Sequence, residues 1–272
     1  MNTRAIRAIM RKDLRQVTQN KMVWLPMIIV PALLQVIIPV VTVVLPTMLG
    51  PEAFNMDDLS GLLGALPPEL RGTIEGMGAL EQYVFLSANY MFAPLFLIVP
   101  LMIASILAAD SFAGEKERKT LESLLYTPVT DEELFLAKVL GAFMPAQVIS
   151  LASFALYAVV VNLVGYHAMG RVFFPVATWW PLVLWLGPGV SLLGLGATVL
   201  VSSKVNTFMQ AQQASGLLVL PIVGLMVAQL GGALFLGVVL VLVLGVVAWI
   251  AGLWLMWVGV KTFARGQIIA RI

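Results

Sequence analysis

Asp110-Ser-Phe-Ala-Gly-Glu115-Lys-Glu-Arg-Lys119-Thr-Leu-Glu122-Ser-Leu-Leu-Tyr126-Thr-Pro128-Val-Thr130-Asp-Glu-Glu133-Leu-Phe-Leu-Ala-Lys138 is the stretch around which the rest of the chain is organised. It joins two apolar runs, each long enough to cross a bilayer. Leu121, Leu124 and Leu125 make an apolar stripe at helical spacing, and Glu117, Arg118, Lys119 and Glu122 keep the remaining surface charged. Pro128 ends that helix. Thr130 and Glu133 have the spacing of a capping box, while Asp131, Glu132 and Glu133 set negative charge in the first turn of the next helix, opposite the positive end of its dipole. The expected form is a short amphipathic helix, a proline break and a second helix running on into an apolar run. Such an elbow can transmit force.

Hydrophobic residues make up 60% of the 272 and charged ones 11%, too few to coat a soluble domain, so the chain reads as a polytopic membrane protein. Without cysteine, disulfides and thiolate chemistry drop out. On the rule that a crossing helix takes about 20 apolar residues, spans fall near 22 to 49, 88 to 109, 138 to 163, 178 to 201, 214 to 231 and 234 to 260. The last two are divided by inference: Ser215 to Val260 is free of charge and would be about 69 Å long as helix, and Gly231-Gly232 is the place to turn. Six spans put both termini on one side.

Lys and Arg in short loops set the orientation. Arg4, Arg7, Arg11, Lys12, Arg15, Lys21, Lys116, Arg118, Lys119, Lys138, Lys204, Lys261, Arg265 and Arg271 lie on one side, and only Arg71 and Arg171 on the other. A multi-pass protein of the cytoplasmic (inner) membrane with both termini cytoplasmic is expected. Trp24 and Trp257 suit the inner interface, Trp179 and Trp180 the outer. The first 21 residues are no cleavable signal, since a long charged region precedes a proline-broken apolar run. Ile6, Ile9, Met10, Leu14 and Val17 recur at helical spacing opposite the arginines, the pattern of an interfacial helix. Residues 50 to 87 form an external segment cut into short pieces by Gly and Pro; Leu59, Leu62, Leu63 and Leu66 share a helical face there, and its acidic residues read as solvated surface.

No Asp, Glu, Lys or Arg is expected inside the spans, which counts against an ion-coupled carrier. The neutral polar residues Gln35, Thr42, Asn89, Ser105, Asn162, Ser191, Thr198 and Gln229 suit interhelical hydrogen bonding. Gln147, Ser150, Ser153 and Tyr157 fall on one face of the third span and are the candidate lining of a pathway. Pro94, Pro100, Pro145, Pro188 and Pro221 are expected to interrupt their helices. A single histidine, His167, and the lack of paired carboxylates or a nucleophile motif give no catalytic and no metal site.

With these residues in view, the chain resembles the permease subunits of type-2 ABC transporters, exporter type. The resemblance rests on Glu115-Lys-Glu-Arg-Lys119-Thr120-Leu121-Glu122-Ser-Leu124-Leu125, then Pro128-Val129-Thr130, the acidic helix start and Lys138, together with Arg11-Lys12-Asp13-Leu14 and Asn20-Lys21. Lys119 stands where many relatives have Gly. It implies an all-α fold of six transmembrane helices, a single permease domain over 1–272, with an amino-terminal interfacial helix over 1–21 and a cytoplasmic coupling segment over 110–137. It further implies a separate ATPase docked on Glu117, Arg118, Leu121, Glu122, Leu124, Leu125, Pro128 and Thr130, ATP and Mg bound by that partner, a second permease copy or paralogue, and no nucleic acid. The chain has no G-x-x-x-x-G-K-[ST] phosphate loop of its own. A sodium-extruding permease, an ATP-independent carrier or channel and a non-transporting scaffold are the alternative readings.

Overall fold

The structure is a computed structural model that describes residues 3–49, 60–120 and 130–262. Among these residues all regular structure is helical, and six helices are long and apolar enough to cross a membrane: Lys21–Pro46, Ala79–Glu117, Asp131–Met169, Trp179–Ser202, Phe208–Leu230 and Val238–Thr262. The second span is the centre of the bundle, with 83% of its most apolar window buried inside the chain against 22% for the first and sixth. It begins at Ala79, earlier than the apolar run alone suggests, and short helices Ser60–Ala65 and Pro68–Ile74 precede it. The fifth and sixth spans part at Gly231-Gly232, where Gly232 takes a φ of 73°. A separate helix, Thr3–Gln19, precedes the first span and packs on the third; Asn20 then breaks the chain and accepts the amide of Met22 through its side chain.

Prolines explain most of the irregular turns. A proline ring lacks the N–H and collides with the carbonyl four residues before it. Pro39, Pro94 and Pro188 each follow a π-helical turn, Leu33–Ile37, Ser87–Met91 and Leu182–Leu186, and the carbonyl each displaces, of Gln35, Tyr90 and Leu184, lies within that turn. The second span's freed carbonyls do not stay orphaned. Tyr157 Oη donates to Ala88 O at 2.6 Å, Trp179 Nε1 to Asn89 O at 2.9 Å and Gln229 Nε2 to Tyr90 O at 2.7 Å, so the third, fourth and fifth spans all bond to one turn of the second. Trp179 is therefore a buried core residue, contrary to the interfacial place expected for it, whereas Trp180 is exposed. Pro145 does not interrupt the third span, which runs unbroken from Asp131 to Met169 at the cost of one backbone donor.

The fourth and sixth spans meet through small residues. Gly245, Gly252 and Gly259 recur every seven residues on the buried side of the sixth. A Cβ at Gly252 would stand 2.9 Å from the backbone nitrogen of Leu193, which cannot swing aside. Gly252→Ala is expected to destabilise the bundle by about 1–3 kcal/mol through overpacking. Thermal unfolding of the purified protein checks this, and an unchanged midpoint would refute the close approach. At the far end of the third span, Asn162 Oδ1 accepts the amides of Phe173 and Phe174 while its Nδ2 donates to Phe174 O at 2.8 Å, folding the next loop back on the bundle.

Candidate functional site

The charged end of the second span is buried. Asp110, Ser111 and Glu115 are 2%, 5% and 0% exposed, and facing them from the third span is Lys138 at 1%. Regular α-helix would not allow this: at 100° per residue Asp110 and Glu115 would point about 140° apart. A fourth π turn, Asp110–Gly114, inserts one residue and swings both carboxylates to the inner side. No proline follows this turn. Its freed carbonyls are instead taken by cations, Lys138 Nζ donating to Ser111 O at 2.6 Å and Arg118 to Asp110 O at 3.2 Å. Gly114 has no side chain, and a Cβ there would lie 3.0 Å from both the Arg118 guanidinium and Asp110 Oδ1.

From this turn an ion network joins the second span to the third and to the amino-terminal helix. Glu115 accepts Lys138 with one carboxylate oxygen and Lys12 of the amino-terminal helix with the other. Lys12 also lies 3.1 Å from Asp13, whose second oxygen accepts Ser111 Oγ at 2.8 Å. Asp110 is held by Arg118 at 2.9 Å and by Gln16 at 3.1 Å. Just outside, Lys116 donates to Val205 O, and Glu117 Oε2 accepts the amide of Phe208 at 2.9 Å, capping the helix that opens the fifth span. Asp13, Asp110 and Glu115 are matched by Lys12, Arg118 and Lys138, so the network is electrically balanced. Burial by itself would lower the pKa of Lys12, but Glu115 and then Asp13 outweigh it and hold the ammonium above its ordinary 10.5. What its pairing contributes is thus fully present below 10.5 and is lost only as pH rises through the raised value.

The residues singled out from the sequence divide three ways. Arg118 is a structural partner in this network, Glu117 caps the helix that opens the fifth span, and Thr130 caps the third span, Glu133 N donating to Thr130 Oγ1 at 3.2 Å and Thr130 N to Glu133 Oε2 at 3.3 Å, as the capping-box spacing predicts. Leu121, Glu122, Leu124, Leu125 and Pro128 lie outside the described residues. Ser150, Ser153 and Tyr157 are buried on the inward side of the third span, Gln147 is half-buried above them, and Tyr157 is committed to the Ala88 carbonyl. The sequence reading missed Asp110, Glu115 and Lys138 as interior residues because it ended the spans at the first charge, and Asp13 because its partner Ser111 lies 98 positions away. The available signal was that opposite charges bound each other across spans 2 and 3, on a chain otherwise poor in charge.

Among the described residues no group of three or more His, Asp or Glu is placed to hold a metal ion. A family model described as "ABC-2 family transporter protein" matches residues 7–246. No curated protein matches the chain.

Proposed function

Because the chain belongs to the ABC-2 transporter family, we propose that it is the permease subunit of an ATP-binding-cassette exporter, moving substrate out across the cytoplasmic membrane by alternating access. A separate ATPase binds ATP and Mg and docks on the coupling segment around Glu117 to Thr130, with both termini on the same, cytoplasmic side. Two permeases, copies or paralogues, work together, and residues 1–272 act as one permease domain whose amino-terminal helix lies at the membrane interface. Gln147, Ser150, Ser153 and Tyr157 are the proposed pathway residues; for Tyr157 this requires release of the Ala88 carbonyl during the cycle.

The observation that carries this reading is the ion network. Glu115 lies on the second span at the start of the coupling segment and joins Lys138 on the third to Lys12 on the amino-terminal helix. A push on the segment between those spans therefore reaches three helices as one body. A carrier powered by an ion gradient would need buried ionisable groups, and the fold does contain Asp13, Asp110, Glu115 and Lys138, but all four are matched with opposite charges at one end of the bundle, which favours a joint over an ion relay. The sodium-extruding reading draws on the acidic external segment; there Glu81 is used as a helix cap, accepting the amide of Gly78 at 3.2 Å.

Leu121→Glu with Leu125→Glu is expected to abolish co-purification of the partner ATPase while leaving the six-span bundle folded. Full retention would place the contact elsewhere. Labelling of Lys119 from the outside of intact cells would overturn the orientation itself.

A further inference from the structure

The helix Thr3–Gln19 divides its surface between two environments. One side is covered: Ile6, Asp13 and Val17 are buried, and the Met10 backbone lies 3.7 Å from where a Cβ on Gly141 of the third span would be. The other side carries Arg4, Arg7, Arg11 and Arg15, spaced by three, four and four residues and so confined to about 80° of the helix circumference. All four are exposed, and none is ion-paired with a described residue. They border an open hollow of about 1050 Å³. The acidic residue of this helix, Asp13, is turned away and engaged with Lys12 and Ser111.

We propose that this arginine face binds the phosphate groups of anionic phospholipids in the leaflet that the first span enters. The proposal rests on the interfacial placement of the helix given above. Continuity with the membrane supports it: the helix ends one residue before the first span, whose apolar surface is exposed from Met22 (67%) and Leu25 (44%) onward. About 6 Å of helix rise carries Arg15 to the helix end at Gln19, less than the Debye length of roughly 8 Å at physiological salt. Leu14 is 39% exposed at the edge of the arginine stripe, so the face offers apolar contact with guanidinium groups extended beyond it, as an interfacial helix requires. Uncompensated cations on a purely aqueous surface would gain nothing from that apolar edge.

The chain has no cysteine, so Ala8→Cys on the arginine face carries a single fluorophore. The full chain is reconstituted in vesicles of phosphatidylcholine containing nitroxide-labelled phosphatidylglycerol or, at equal mole fraction, nitroxide-labelled phosphatidylcholine. The anionic lipid is expected to quench with an apparent association roughly fivefold or more stronger, the ratio given by about 1 kcal/mol of headgroup attraction. Four Arg→Gln changes bring the two lipids to parity, and four Arg→Lys changes keep the preference. Strong but equal quenching in the unmodified face overturns the anionic site and leaves the interfacial helix standing; weak quenching by both overturns the placement as well. Displacement by inorganic phosphate beyond the effect of equal ionic strength, or loss of ATPase co-purification in the Arg→Gln protein with lipid preference intact, would assign the face to a soluble anion or to the protein partner instead.

Discussion

Lys138→Met, made with Glu115 in place, is expected to destabilise the protein by about 3–5 kcal/mol, as is Glu115→Ala with Lys138 retained. Glu115→Ala leaves Lys138 with no carboxylate partner, and Lys138→Met leaves Glu115 with Lys12 alone, at positions only 0–1% exposed. The penalty is that of the stranded charge, not the net worth of the pair, because desolvation consumes most of what a buried pair gains. The double variant Glu115→Gln with Lys138→Met should therefore recover most of the loss: Lys12, Asp13, Asp110 and Arg118 remain balanced, and Gln still offers Lys12 an acceptor. Thermal unfolding followed by tryptophan fluorescence measures all three. Losses under 1 kcal/mol in the single variants, or a double variant as unstable as the sum of the singles, would show that these groups are not buried together. A recovered double variant also isolates function from stability. If the network joins the coupling segment to the amino-terminal helix, that variant folds yet transports poorly for the same ATPase turnover.

The crossings were legible because apolar length is a property of composition, and the turn at Gly231-Gly232 because no other place in that charge-free run frees the backbone so cheaply. The Thr130 cap was legible for a similar reason: its partners are three residues apart and need no tertiary information. The ion network was not. Glu115 meets Lys12 across 103 positions, and it faces inward only because the helix turns through a π segment that no proline announces. A reading that ends a span at the first charge must assign Asp110 and Glu115 to a loop, since the partners that neutralise them come from other helices. Pro145 shows the opposite error. A proline removes one donor, but whether the helix then bends depends on what stands ready to take the freed carbonyl.

That dependence gives the second large effect. Pro94 cannot donate to Tyr90 O, and Gln229 Nε2 of the fifth span does so instead at 2.7 Å with Gln229 1% exposed. Gln229→Leu removes the donor and leaves a buried carbonyl unpaired, a loss of about 1–3 kcal/mol. Pro94→Ala supplies a backbone N–H four residues after Tyr90, the ordinary helical donor, and removes the ring that displaced the carbonyl. Gln229→Leu should then cost far less in the Pro94→Ala background than alone, with a coupling of about 0.5–3 kcal/mol in the double-mutant cycle. Additive losses would mean that the carbonyl is open for a reason other than the proline. The coupling separates two uses of the same turn. If the π segment only relieves the ring, Pro94→Ala with Gln229→Leu is stable and transports normally. If the bond from the fifth span must break and re-form as the bundle changes state, a second span made self-sufficient in hydrogen bonds folds well and transports less, because the span that once held the turn is no longer tied to it.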